Sequence, residues 1–150
     1  MNGTQATSTE ELTEQAARLR LAINRMARRL RQEANTDLGP ASISALATIE
    51  RSGPLTPSEL ARLEGIQRPT ATRILTRLTD EALVSRTADP TDGRSSIVAV
   101  TAQGRTALNR LRKRKTAYLS KRMRGLPDDD VATLARAAEI LEQVLEEGRT

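Results

Sequence analysis

Apolar positions recur with a helical period along most of this chain, and the period changes to alternation in only one stretch. From Glu10 to about Gln32, the residues Leu12, Ala16, Leu19, Ile23, Met26 and Leu30 fall at alternating spacings of four and three. That is the seam of a helix that packs on another helix through a narrow stripe. Gly39-Pro40 ends the segment. A second helix is predicted over about Ala41–Arg51, with Ile43, Leu46, Ala47 and Ile49 on its apolar side and Ser52-Gly53-Pro54 closing it. Thr56-Pro57-Ser58-Glu59 opens a short third helix: Thr56 can cap, Pro57 fits the first helical position, and Glu59 completes a capping box. Leu60, Ala61 and Leu63 are its expected inward residues, and Gly65 stops it. A fourth helix, about Arg68–Glu81, carries Ala71, Ile74, Leu75 and Leu78 as its buried stripe.

The alternating stretch comes next. Leu83–Thr87 reads as a strand, Ala88–Arg94 as turn chemistry, and Ser95–Thr101 as a β-branched second strand. A fifth helix is predicted over Ala102–Met123, then a break at Gly125-Leu126-Pro127. A sixth follows over Asp128–Glu147, where Val131, Leu134, Ala138, Leu141 and Leu145 again step by three and four. Asp128, Asp129 and Asp130 read as a helix-start cap rather than a metal site, since carboxylates suit the positive end of the dipole. Two helices joined by a tight Gly-containing turn form a helix-turn-helix, and a hairpin directly after the second makes the arrangement winged. The expected fold is mainly α with a small β-hairpin wing. It divides into a disordered tail over 1–9, a helical dimerisation region over 10–38 and 102–150, and a winged helix-turn-helix domain over 39–101.

Composition narrows the chemistry. The 150 residues hold no His, Cys, Trp or Phe, and Tyr118 is the lone aromatic. Without thiol or imidazole, disulfides, Cys or His metal sites, and Ser-His-Asp or Cys-His catalysis are excluded. No cofactor is expected, and binding is favoured over catalysis. No apolar run approaches the ~18 residues of a membrane span, and the first nine residues lack a signal-peptide core, so a cytoplasmic protein is expected. Net charge is +5, unevenly placed: Thr101–Gly125 holds nine basic residues and no acidic one, while Leu126–Thr150 holds seven acidic and two basic. This suits a protein with one face toward a polyanion, although both stretches could equally be solvated helix faces.

A helix that enters the major groove needs a donor-rich face opposite its buried stripe. Opposite Ala71, Ile74, Leu75 and Leu78 lie Thr72, Arg73, Thr76 and Arg77, with Arg68 and Thr70 at the start and no acidic residue before Asp80. Arg73 is nearest the centre, where it can address guanine O6 and N7. Arg94, with Ser95 beside it, sits at the hairpin tip, from which an arginine can enter a narrow minor groove. Arg86, Asp89 and Asp92 are the expected wing supports. Asp89 is read chiefly as a turn residue, whereas Asp92 either turns the chain or steers Arg94.

Leu83-Val84-Ser85-Arg86, Asp89-Pro90-Thr91-Asp92-Gly93-Arg94 and Val98-Ala99-Val100-Thr101-Ala102-Gln103-Gly104, with Thr70–Leu78 before them, resemble the wing and recognition helix of the MarR family of bacterial transcription regulators. The resemblance spans about residues 10–147. It implies a homodimer joined through the first and last two helices, double-stranded DNA as partner, repression at a pseudo-palindromic operator, and release by a small phenolic or lipophilic effector. By that resemblance Arg94 is the minor-groove arginine, supported by Asp92, and Thr70, Thr72, Arg73 and Arg77 face the major groove. Thr91 stands where the family usually has an arginine. Ala82 replaces a frequent glycine, so ordinary right-handed or extended backbone is expected there. Ile23, Met26, Leu46 and Tyr118 could bound a ligand pocket, or be plain core and seam. A low-specificity architectural DNA protein using the basic fifth helix is the alternative reading.

Overall fold

The computed structural model describes residues 8–148. The elements follow the expected order: α1 (Thr9–Ala34), α2 (Pro40–Ser52), α3 (Pro57–Glu64), α4 (Arg68–Asp80), β1 (Val84–Ala88), β2 (Ser96–Val100), α5 (Ala102–Met123) and α6 (Asp128–Glu147). Of the expected tail, residues 1–7 lie outside the described residues. Ser8 and Thr9 do not belong to a tail. Ser8 Oγ accepts from the Glu11 amide at 3.2 Å and Glu11 Oε2 accepts from the Ser8 amide at 3.0 Å, a capping box that starts α1 at Thr9.

The chain forms two compact units, divided within α5 between Lys115 and Thr116. In the first, Leu46 and Ile49 of α2, Leu60 of α3, Leu75 and Leu78 of α4, Val98 of β2 and Leu108 of α5 are the large, fully buried side chains. Each is worth roughly 1.5–3 kcal/mol of burial. Leu63 departs from expectation at 45% exposed. The inward line of α3 runs through Pro57, Leu60, Ala61 and Glu64, so Leu63 falls beyond its edge. Glu64 is fixed there by the hydroxyls of Ser44 and Thr48, both donating to its carboxylate from α2.

β1 and β2 pair antiparallel with Val84 opposite Val100 and Arg86 opposite Val98. A two-stranded hairpin alone is marginal. This one gains a third partner, because Leu55 and Val98 exchange both backbone hydrogen bonds, at 3.0 and 2.8 Å.

The end of α4 corrects a sequence expectation. Ala82 is left-handed, with φ of +58°. The Leu83 amide donates to Leu78 O and the Ala82 amide to Thr79 O, both at 2.9 Å, a complete Schellman closure. Leu83 and Leu78 are both buried in the core, which supplies its usual hydrophobic contact. The same closure ends α3, with Gly65 at the left-handed position. α5 then starts directly against this corner. Thr101 caps it, accepting from the Gly104 amide at 3.0 Å, while the Thr101 hydroxyl donates to Ala82 O at 2.7 Å and its amide to Leu83 O at 3.1 Å.

In the second unit, Arg122 lies 5.4 Å above the ring of Tyr118. Asp128, Asp129 and Asp130 form the first turn of α6; none caps by a side-chain bond, and their charge complements the dipole. α1 and α6 each leave apolar side chains in solvent: Leu12 (59%), Leu19, Ile23 and Met26 on α1, Leu134, Ile140, Val144 and Leu145 (70%) on α6.

Candidate nucleic-acid interface

Alternation of core and solvent positions fixes the outward face of α4. Ala71, Leu75 and Leu78 are fully buried, which turns Arg68, Thr72, Arg73, Thr76 and Arg77 outward, with Thr70 half-buried at the start. Arg68 and Arg73 have no side-chain partner among the described residues, so their guanidinium donors stay open. The Thr72 hydroxyl is open as well. Thr76 donates its hydroxyl back to Thr72 O at 3.0 Å, keeping only acceptor capacity and a methyl group for a ligand. The start of α4 has no side-chain cap and no acid in its first turn. Its orphan amides suit an anion, as does Arg68, which stands at the wrong end of the dipole for a cation.

Arg77 is placed differently from its neighbours. Its Nη2 donates to the carbonyl of Asp37, in the α1–α2 connection, at 2.8 Å, and its Nε to Glu81 Oε1 at 3.1 Å. Two of its five donors are thus committed inside the protein.

The wing loop is built by two carboxylates that serve the backbone. Asp89 Oδ1 accepts from the Thr91 amide at 2.9 Å and the Thr91 hydroxyl at 2.7 Å. Those bonds, the amide first, hold the Asp89 carboxyl below its ordinary pKa of 3.8. Thr91 therefore has its own task in shaping the loop. Asp92 Oδ1 accepts from the Arg94 amide at 3.0 Å, so Asp92 turns the chain rather than steering the guanidinium. Ser95 closes the loop through its backbone, accepting from Asp89 N and donating to Asp92 O. Arg94 is exposed at the tip and its guanidinium is unpaired among the described residues. Arg86, expected as a wing support, is exposed on β1 and bonds neither aspartate.

The candidate pocket residues of the first unit do not line a common cavity. Leu46 is 0% exposed in its core, while Ile23 and Met26 lie open on α1. Tyr118 belongs to the second unit, beneath Arg122. A cleft of ≈ 360 Å³ opens instead at the α1–α2 connection, where Arg28, Arg31, Thr36, Leu38 and Ile43 are among its walls. Sequence reasoning missed the anchoring of Arg77 and the Leu55 bridge, because each joins residues far apart in the chain; it missed the cleft because its walls meet only through the turn between α1 and α2.

The chain is similar to known proteins over most of its length. The MarR family model matches residues 38–96. An uncharacterized HTH-type transcriptional regulator of Mycobacterium leprae is 32% identical over 133 residues, covering 88% of this chain and 93% of that protein. A crystal structure of a transcriptional regulator protein from Pseudomonas aeruginosa is 30% identical with a TM-score of 0.82, covering 93% of this chain and 99% of the other. A cysteine-to-serine mutant of E. coli MarR, crystallised with operator DNA, shares the fold at a TM-score of 0.63 and 23% identity, covering 93% of this chain and 99% of its own.

Proposed function

The chain belongs to the MarR family of DNA-binding transcriptional regulators, and from that premise we propose that it is a cytoplasmic, homodimeric repressor of a pseudo-palindromic operator. The observation that carries the reading is the open face of α4. Arg68, Thr72 and Arg73 present unpaired polar groups on a helix whose other side is packed, and the unpaired Arg94 stands at the tip of the adjoining wing. In this reading Arg73 addresses base edges, Arg68 and Thr70 hold phosphates with the uncapped start of α4, Thr72 and Thr76 offer methyl and hydroxyl contacts, and Arg94 enters the minor groove. Thr91, Asp89, Asp92 and the Ser95 backbone give the wing its shape.

The dimer is supported by the apolar residues left in solvent on α1 and on α6, which a second copy would cover. Two-fold symmetry would then set two copies of α4 about one helical turn of DNA apart, ~34 Å. Regulation in this proposal is release by a small lipophilic anion. The α1–α2 cleft supports it, with apolar walls at Leu38 and Ile43 and the cations Arg28 and Arg31 beside them.

The test is selection of bound fragments from sheared genomic DNA at ~0.15 M salt, where sequence-independent binding is weak. Recovery of one inverted repeat with half-sites about 10 bp apart, and a dimer by light scattering, is the expected result. A promoter reporter carrying that repeat should rise when the gene is deleted. Fragments with no shared site would replace this reading with low-specificity binding through the basic run of α5.

A further inference from the structure

The connection between α1 and α2 is held by arginines from two distant elements. Arg114 of α5 donates Nη1 to the carbonyls of Ala34 at 2.9 Å and Asn35 at 3.2 Å. Arg77 of α4 donates Nη2 to the carbonyl of Asp37 at 2.8 Å. The carbonyls at the end of α1 have no partner within the helix and need donors from elsewhere. Asn35 is left-handed, with φ of 48° and ψ of 64°, so the chain turns sharply here. The turn is pinned on both sides, by the buried Ala34 and by Leu38, whose amide bonds Thr36 Oγ1 at 3.2 Å. Glu81 completes the arrangement by taking the Nε of Arg77 at 3.1 Å, which sets the plane of the guanidinium. An exposed pair between Arg77 and Glu81 alone would hold nothing in place. The bond to a backbone forty residues earlier does.

We infer that Arg77 is a positioning residue rather than a reader of DNA: it tethers the last turn of α4 to the α1–α2 connection, which Arg114 fixes against α5, so that the two arginines together set the pose in which α4 meets its target. This rests on the DNA-reading role of α4 proposed above. It also assigns Arg77 a different task from Arg73, one turn earlier on the same helix.

The test compares the full-length chain with Arg77→Ala, Arg77→Lys, Arg114→Ala and the Arg77→Ala/Arg114→Ala double variant. Binding is read by fluorescence anisotropy on the duplex recovered in the selection and on a random-sequence duplex of equal length, between ~0.05 and ~0.2 M salt. Arg77→Ala should weaken binding about tenfold, with an unchanged salt slope and unchanged base preferences. Arg77→Lys should not restore it, because an ammonium cannot reproduce the planar fork that spans Asp37 O and Glu81. Arg114→Ala should weaken binding too, and the double variant should lose less than the product of the two single losses. Amide exchange in the free protein should quicken in the last turn of α4 in both single variants.

A salt slope shallower by about one, with rescue by lysine, would make Arg77 a phosphate contact and overturn the proposal. So would a loss confined to one base pair, or losses that simply multiply. Faster exchange with unchanged affinity would reduce the tether to a stabilising contact, which also overturns it. If the wild-type chain selects no common duplex, the repressor reading fails by itself. Exchange and the random-sequence duplex still decide the tether.

Discussion

Gly104 lies in the first turn of α5, where alanine is ordinarily the better residue by up to ~1 kcal/mol. Here the substitution Gly104→Ala should destabilise. A Cβ at this position would stand 2.2 Å from the carbonyl oxygen of Leu83 and 2.9 Å from Val100 Cγ2. Relief requires a movement of about 1 Å, since an ordinary contact begins at 3.4 Å. The obstacle is backbone and is fixed twice: Leu83 O accepts from the Thr101 amide, and Leu83 N closes the Schellman motif on Leu78. Moving α5 away instead stretches both bonds from Thr101 to this corner, each worth ~1 kcal/mol net. Overpacking itself adds ~1–3 kcal/mol. The favourable helix term is the smaller, and the net expectation is a loss of about 2–3 kcal/mol. Urea unfolding at one fixed protein concentration measures it, since assembly would shift apparent stability. Gly125→Ala is the control, because a Cβ there meets only Arg122 O at an ordinary 3.7 Å. A Gly104→Ala protein as stable as the wild type, or more so, would refute the reasoning.

Ala82→Gly should stabilise by up to ~1 kcal/mol in the same assay, as relief of a left-handed alanine outweighs the added freedom of the unfolded chain; a loss would mean the surroundings hold Ala82 without strain. Arg73→Ala should cost roughly 1–3 kcal/mol of DNA binding and relax preference at one base per half-site, whereas an equal loss on all sequences would make Arg73 a phosphate contact. Arg94→Ala should weaken binding most on sites with narrow, A·T-rich flanks, and an unchanged preference would keep the wing out of the minor groove. The Asp89 carboxyl has a folded pKa lowered from 3.8, first by the Thr91 amide and then by its hydroxyl. Its stabilising contribution is therefore present above the unfolded value and lost as pH falls through the folded one. NMR titration of Thr91→Val should find Asp89 moved back up toward the ordinary value, and an unmoved carboxyl would rule out the hydroxyl's part.

Structure is legible in this sequence where the residues that decide it are neighbours. The capping box at Thr56–Glu59, the stripe of α4 and the β-branched Ile97–Val100 segment of the wing are each settled within a few residues, and each stands as expected. Ala82 defeats a local reading because its backbone is dictated by Leu83 reaching Leu78 and packing in the core, not by the residue at the turn itself. Leu46 has the helix position of a pocket residue, but α3, α4 and β2 converge on α2 and bury it completely. Among the candidate interface residues, periodicity suffices for the outward direction of Thr72, Arg73 and Thr76. It has no access to the carbonyl of Asp37, exposed by a left-handed Asn35, that engages Arg77.

The placement of Tyr118 makes this protein an unusual optical object. Because the chain has one tyrosine and no tryptophan, all its intrinsic emission comes from a single ring. That ring belongs to the second unit, with a guanidinium over its face, and the part of the chain that carries α4 and the wing is silent. Protein fluorescence therefore reports on the surroundings of the second unit alone, and it needs no label to be seen.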